Sequence, residues 1–156
     1  MNIEISIESD LWKNYDNLLE LCNTATTKII KEVQTFYSQA LHGEISVVFT
    51  DNAHIQKLNA KWRYKNKPTN VLSFPSKTLK IGEKPDYILG DIILAFETIE
   101  KEAIEQNKSF LAHLYHLFIH GFLHLLGFDH NTENEAAQME AIETKILDHL
   151  NIKNPY

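Results

Sequence analysis

The stretch that decides the fold of this chain is His120–His130, which reads HGFLHLLGFDH. Its first two histidines are four residues apart, and residues with this spacing lie one turn apart on the same face of an α-helix. His120 and His124 can therefore direct two imidazole rings toward one point. We predict that a helix over residues 110–126, with Ser109 as its N-cap, carries both of them.

The third histidine of this stretch follows a glycine. His116 is a poor third ligand, because it lies eight residues from His124 and the two Cα atoms are roughly 12 Å apart at about 1.5 Å per residue. Gly127 can instead end the helix in a left-handed conformation and return His130 to the other two rings. Three imidazoles without a fourth protein ligand leave one coordination position open, as in catalytic zinc sites. Histidine pairs on a helix are often only exposed or hydrogen-bonded, but the glycine and the third histidine favour a metal site.

The composition is that of an ordinary globular protein. The chain has 156 residues, of which 44% are hydrophobic and 23% are charged, and we predict a single domain over residues 1–156. The single cysteine, Cys22, excludes an internal disulfide and a thiolate metal cluster. The first residues lack the pattern of a signal peptide, and no apolar run has membrane-spanning length. We therefore expect a cytoplasmic protein with no membrane contact and no disulfide-linked partner.

Hydrophobic periodicity predicts an α+β fold, with a mixed sheet of about four strands packed against about five to six helices. The strands are predicted over residues 2–8, 44–50, 69–74 and 87–96. The third of these strands lies between Pro68 and Pro75, which indicates a position near a sheet edge. The helices are predicted over residues 11–21, 24–41 (closed by Gly43), 51–62, 97–106, 110–126 and 131–150.

The charge is unevenly distributed along the chain. The net charge is −6, which taken alone argues against a nucleic-acid partner, yet residues 57–84 carry a net charge of +7. Such a local field attracts anions whatever the overall sign, although a solvated lysine-rich loop would have the same composition. Arg63 is the only arginine, and it lies in the sequence KWRYK, where aromatic and basic residues alternate as in sites for single-stranded nucleic acid. Its planar group of donors suits phosphate, although a bias toward lysine would also leave a lone arginine.

The histidine stretch resembles the zincin metalloprotease signature HExxHxxGxxH in its ligand spacing and in its glycine. The glutamate that serves as general base in that signature is replaced here by Gly121. A peptide hydrolase of this type would lack a contribution of typically 10²–10⁴-fold to its rate. The residue before the last histidine, Asp129, could either orient an imidazole or stabilise a turn.

A longer stretch, HLFIHGFLHLLGFDH over residues 116–130, is similar to the signature of the YbeY family of bacterial endoribonucleases. Residues 58–63, the sequence KPTNVLSFP over residues 67–75 and the sequence LGDI over residues 89–92 also resemble that family. Asn70 stands where many members have aspartate. Residues 1–57 carry no recognisable signature of the family.

The resemblance implies one divalent metal ion, expected to be zinc, with the ligands His120, His124 and His130. It implies that Arg63 and His120 take part in catalysis, and we predict contacts with the substrate from Lys61, Lys65, Lys67 and Ser73. The implied activity is metal-dependent cleavage of single-stranded RNA in ribosomal RNA maturation, at the 3′ end of 16S rRNA, and in ribosome quality control. The expected partners are therefore ribosomal RNA and ribosomal particles.

Several alternatives remain open from the sequence alone. The attacking group in RNA cleavage could be water or the RNA 2′-hydroxyl. The chain could instead be a peptidase whose strand over residues 69–74 pairs with an extended peptide. It could also be a non-catalytic ribosome-binding factor with a structural metal. The metal itself could be zinc, nickel, copper or iron, because imidazole suits all four.

Overall fold

A four-stranded mixed sheet organises the structure, a computed structural model that describes residues 1–156. The strands are β1 (Asn2–Ile7), β2 (Glu44–Thr50), β3 (Val71–Pro75) and β4 (Ile88–Ala95). Their order across the sheet is β1-β2-β4-β3; the first three run parallel, and β3 runs antiparallel to β4 at one edge. The α+β class and the four strands are confirmed, as is the edge position of the strand that ends at Pro75.

The structure has five α-helices. They are α1 (Leu18–Val33), α2 (Asn52–Arg63), α3 (Phe96–Glu105), α4 (Phe110–Leu125) and α5 (Glu133–Asp148). The side chains of Asp51, Ser109 and Thr132 each accept a hydrogen bond from a backbone N–H in the first turn of α2, α4 and α5, respectively, which confirms Ser109 as the N-cap of α4. No helix combines the length and the apolarity that crossing a bilayer requires.

The two helices predicted over residues 11–21 and 24–41 are wrong in their bounds, because they form the single helix α1. Before α1, Trp12 lies in a short 3₁₀ turn, is 1% exposed, and donates from its indole Nε1 to the Thr50 carbonyl oxygen at 2.8 Å. This tertiary contact overrides the local helical pattern. After α1, a second 3₁₀ turn spans Gln34–Phe36, and Gln34 closes the following loop by accepting from the Leu41 N–H. Gly43 therefore ends no helix.

The two faces of the sheet are covered unequally. One face packs against α1 and α4, and α5 packs on these two helices; this side contains a core cluster of 30 buried residues. The other face carries α2, which buries Ile55 against Leu72, Ile93 and Ala95. Helix α4 contacts β3, β4, α1, α3 and α5, so it is surrounded on most sides. That burial explains why its sequence is apolar almost all round.

Two glycines allow elements to approach closely beside the end of α4. A Cβ atom on Gly121 of α4 would lie 3.0 Å from the Ser73 Oγ and 3.1 Å from the Ile92 Cγ2. Gly90 of β4 has a φ of +146°, and a Cβ atom there would overlap the Phe74 carbonyl oxygen and lie 2.9 Å from the Pro75 Cα. The first glycine sets the distance between α4 and the sheet, and the second lets β3 pair with β4.

We expect Gly90→Ala to destabilise the protein by about 2–4 kcal/mol, because a strained φ and a clash with backbone atoms act together. The matched variant Gly121→Ala meets side-chain atoms at 3.0–3.4 Å and gains helix propensity of up to about 1 kcal/mol, so we expect it to lose less stability than Gly90→Ala. Urea unfolding of both variants measures the difference. Equal midpoints for Gly90→Ala and the wild type would contradict this account of β3 and β4.

Candidate metal centre

His120 and His124 lie on the last two turns of α4, with their Nε2 atoms 3.0 Å apart. The Nδ1 atom of His120 donates to the Glu143 Oε1 at 2.7 Å, and the Nδ1 atom of His124 donates to the Phe128 carbonyl oxygen at 2.9 Å. Because both partners are acceptors, the protons lie on the Nδ1 atoms. In the neutral rings each Nε2 atom therefore presents a lone pair.

The end of α4 returns the third histidine to this pair. Gly127 adopts a φ of +96°, and the Phe128 N–H closes the helix by donating to the Leu123 carbonyl oxygen at 3.1 Å. The His130 ring then stacks on the His120 ring with centroids 5.5 Å apart and an interplanar angle of 19°. The structure thus brings together the three histidines that the spacing singled out.

The donor set fits a divalent metal ion. Ligand nitrogens of the three rings all lie within 4.8 Å of one another. Two ligands with bonds of 2.0–2.1 Å in a tetrahedral site are separated by about 3.3 Å, close to the 3.0 Å between the two Nε2 atoms of α4. Facing lone pairs at that distance repel each other, and a cation between them removes the repulsion. Burial, followed by the nearby rings of His120 and His130, lowers the pKa of His124 to about 4, so this ring is unprotonated at neutral pH.

Glu143 of α5 is a residue of the site that sequence reasoning missed. Its side chain is fully buried, its Oε1 accepts from His120, and its Oε2 accepts from the His116 Nε2 at 2.7 Å and from the Tyr156 hydroxyl. Burial alone would raise the pKa of Glu143, but the hydrogen bonds from His116 and His120 lower it to about 2. The only sequence signal was a glutamate beside Ile142 on the apolar face of α5.

Asp129 stabilises the turn that carries His130. Its Oδ1 accepts from the His130 backbone N–H at 2.8 Å, and its Oδ2 accepts from the Asn131 Nδ2 at 2.8 Å. The nearest distance between its carboxylate and the His124 Nδ1 is 3.9 Å, so it does not hydrogen-bond that ring. Of the two roles open from the sequence, these contacts favour the turn.

Arg63 lies at the wall of the same cleft, which has a volume of about 620 Å³ and also contains the three histidines, Ser73 and Tyr156. The Arg63 side chain leaves the last turn of α2 and donates to the Ser73 carbonyl oxygen at 2.8 Å. Its guanidinium carbon lies 4.8 Å from the centroid of the Phe74 ring. Two contacts with the edge strand β3 therefore fix the position of this cation beside the histidines.

The other residues predicted to bind substrate divide into two groups. Ser73 lines the cleft, and its hydroxyl donates to the Gly121 carbonyl oxygen at 3.0 Å. The three lysines do not line the cleft: they are exposed at the end of α2 and in the segment after it, and the Lys61 Nζ lies 5.0 Å from the centroid of the Trp62 ring. These three are Lys61, Lys65 and Lys67.

Position 121, where the zincin signature has its general base, faces the sheet at close range. The Cβ direction of Gly121 meets Ser73, Ile92 and Val71 of the sheet at 3.0–3.4 Å. A glutamate would therefore not fit at this position. The replacement noted in the sequence is thus a packing requirement of α4, and it disfavours hydrolysis of the zincin type.

Comparisons with known proteins agree with these features. A family model described as endoribonuclease YbeY matches residues 9–151. A protein of Bartonella henselae named endoribonuclease YbeY is 47% identical over 100% of this chain and 97% of that protein. One of Agrobacterium fabrum with the same name is 45% identical over 100% and 95%, respectively. The solution structure of TM1509 from Thermotoga maritima is similar in fold, with a TM-score of 0.60 and 21% identity over 96% of this chain and 91% of that one.

We expect the metal-free protein to lose stability as the pH falls from about 6.5 toward about 4. The pKa of His124 is lowered from 6.5 to about 4 in the folded chain, so the unfolded chain binds more protons in this interval. The contribution is complete above about pH 6.5 and amounts to at most about 3 kcal/mol.

Urea unfolding at pH 5 and pH 7 in the presence of a chelator measures this effect. His124→Gln should depend less on pH than the wild type, whereas His42→Gln, at an exposed residue outside the cleft, should follow the wild type. Parallel profiles for His124→Gln and the wild type would contradict the assignment of an unprotonated His124.

Proposed function

Because this chain belongs to the endoribonuclease YbeY family, we propose that it is a metal-dependent endoribonuclease that cleaves single-stranded RNA in the cleft between α4 and β3. One observation carries this proposal: the ring nitrogens of His120, His124 and His130 converge in the same cleft as Arg63. The first feature suits a cation, and the second suits the phosphate that the cation would help to activate.

The proposed metal ligands are His120, His124 and His130, and the proposed ion is zinc. A bound divalent ion would supply Lewis acidity toward a phosphoryl oxygen. The protein contributes the orientation of the rings, because Glu143 and the Phe128 carbonyl oxygen fix the Nδ1 protons and leave each Nε2 atom of α4 free. With three protein ligands, one coordination position stays available to substrate.

Arg63 is the proposed clamp for the scissile phosphate. One of its nitrogens is occupied by the Ser73 carbonyl oxygen, and stacking on Phe74 restricts the guanidinium, so the remaining N–H groups can donate to a phosphate with little loss of side-chain entropy. Ser73 donates its own proton to Gly121, which leaves its oxygen lone pairs free to accept from a ribose hydroxyl.

The lysines contribute at a distance from the reacting atoms. Lys61, Lys65 and Lys67 are exposed beside Arg63, in the segment of residues 57–84 that carries a net charge of +7. We assign them to the capture of the RNA backbone outside the cleft, where their contribution falls as salt concentration rises.

The proposed substrate is ribosomal RNA in the cytoplasm, at the 3′ end of 16S rRNA and in defective ribosomal particles. Support comes from the family membership and from the +7 segment beside the cleft. Peptide hydrolysis has less support, because Gly121 leaves no room for the general base of zincins.

Removing one proposed metal ligand should abolish RNA cleavage. We expect His124→Ala to lower the rate on a single-stranded RNA by about 10²-fold or more, the scale of losing an electrostatic stabiliser, and a chelator to have the same effect on the wild type. His42→Ala, at an exposed histidine outside the cleft, is the matched control. In cells that lack the wild-type protein, His42→Ala should restore 16S rRNA with a mature 3′ end, and His124→Ala should not.

Full RNA cleavage by zinc-free His124→Ala would exclude a catalytic metal. A non-catalytic ribosome-binding factor would instead restore 16S maturation in cells with either variant. An RNA with a single 2′-deoxynucleotide at the scissile position distinguishes the two nucleophiles, because it resists attack by the 2′-hydroxyl and permits attack by water.

Losing the guanidinium should lower catalysis more than it lowers RNA binding. We expect Arg63→Ala to reduce kcat/KM by about 10²–10³-fold, and Arg63→Lys to recover only part of this, because lysine lacks the planar set of donors. Lys61→Ala, two residues away and outside the cleft, should cost only a few-fold, and mainly at low salt. Equal kcat/KM values for Arg63→Ala and Lys61→Ala would contradict the role of Arg63 as a clamp.

A further inference from the structure

We propose that Glu143 and Tyr156 are positioning residues for the metal centre: the Glu143 carboxylate fixes the His120 ring, and the Tyr156 hydroxyl holds that carboxylate and couples residues 153–156 to the ion. The inference rests on the proposed metal-dependent function. It assigns a role to the buried face of α5 and to the last residues of the chain.

Glu143 is held by three donors at once. Its carboxylate is fully buried and accepts from the His120 Nδ1 at 2.7 Å, the His116 Nε2 at 2.7 Å and the Tyr156 hydroxyl. An unpaired carboxylate in such a place would be strongly unfavourable, so the three bonds are needed for its burial. Because they leave the carboxylate no freedom to turn, they also fix the direction of the His120 ring.

The two histidines of α4 have unequal supports. His124 donates to a neutral backbone carbonyl oxygen, that of Phe128, whereas His120 donates to the charged Glu143. A carboxylate partner raises the basicity of a ligating imidazole more than a carbonyl does, and losing such a partner typically weakens metal binding by 10–100-fold. Losing the Glu143 carboxylate should therefore weaken metal binding more than losing the contact with the Phe128 carbonyl oxygen.

Tyr156 joins the last residues of the chain to this carboxylate. Residues 153–156 make no backbone–backbone hydrogen bond with the rest of the protein, and the last such bond is donated by Ile152 to the Leu147 carbonyl oxygen at 2.9 Å. Tyr156 as a residue is 57% exposed, yet its hydroxyl donates to Glu143 and its ring lies edge-on to the His116 ring, with centroids 5.5 Å apart. This side chain is the main polar attachment of the segment.

Coupling between the ion and this segment follows from that arrangement. The Tyr156 hydroxyl holds the Glu143 carboxylate in the orientation that contacts His120, and this favours the orientation of the His120 ring that binds metal. By thermodynamic linkage, a metal ion that fixes His120 must in return favour the attached position of Tyr156. A role of Tyr156 in folding alone would not give this reciprocity.

The test measures Zn²⁺ affinity of the full chain by competition with a chromogenic chelator. We expect Glu143→Gln, which keeps the shape and removes the charge, to bind Zn²⁺ about 10–100-fold more weakly, and Tyr156→Phe, which removes one hydroxyl, about 3–10-fold more weakly. Glu140→Gln is the control, since Glu140 lies on the same helix and is exposed. Its affinity should stay within about twofold of the wild type.

Hydrogen exchange of the backbone amides of residues 153, 154 and 156 gives a second readout. Zn²⁺ should slow their exchange in the wild type and leave it unchanged in Tyr156→Phe. Wild-type affinity in a folded Glu143→Gln, or wild-type affinity and exchange in Tyr156→Phe, would overturn the proposal. If thermal unfolding shows that metal-free Glu143→Gln is not folded, Tyr156→Phe decides alone. A wild type that binds no Zn²⁺, or His124→Ala that binds it fully, would instead refute the proposed metal site.

Discussion

The close contact between α4 and the edge of the sheet at Gly121 is the constraint on which the rest of the structure depends. Without a side chain there, the helix approaches β3 until the Ser73 hydroxyl reaches the Gly121 carbonyl oxygen. The carbonyl oxygen of the same serine holds Arg63. A single point of packing therefore places the histidine-bearing turns of α4 and the only arginine of the chain along the same cleft.

The chemistry of the cleft depends on buried charge as much as on proximity. A fully buried carboxylate is rare, because desolvation opposes ionisation, yet Glu143 stays ionised through hydrogen bonds from α4 and from Tyr156. Its negative charge faces His120 from the side opposite the cleft. The cleft itself presents the Nε2 atoms of His120 and His124 and a guanidinium group. Acceptors for a cation and donors for a phosphate thus lie side by side.

The fold and the clustering of the three histidines could be predicted from sequence because both depend on short-range spacing. A separation of four residues on a helix and a glycine that ends it fix His120, His124 and His130 almost without reference to the rest of the chain. The contribution of Glu143 could not be found in this way, because it depends on how α5 packs against α4. Likewise, the helix predicted over residues 11–21 failed because Trp12 inserts into the core instead.

The residues predicted to bind substrate show the same division. The composition of residues 57–84 correctly indicated a cationic surface, but composition carries no direction, and Lys61 and its neighbours project outside the cleft. Ser73 could be placed in the cleft only once the pairing of β3 with β4 was known. The sequence pattern predicts the helices and strands, but it does not predict the distances between them.

The contact between Arg63 and Ser73 also bears on self-association through the open margin of the sheet. In an antiparallel edge strand, alternate residues direct their backbone N–H and C=O groups away from the sheet, where a strand of another chain can pair with them. Here the outward Ser73 acceptor is filled by Arg63, the Val71 N–H is satisfied by the Asn70 side chain at 2.6 Å, and Pro75 has no N–H to offer. The arginine thus shields this border from aggregation, and any anion that draws it away would briefly lift that protection.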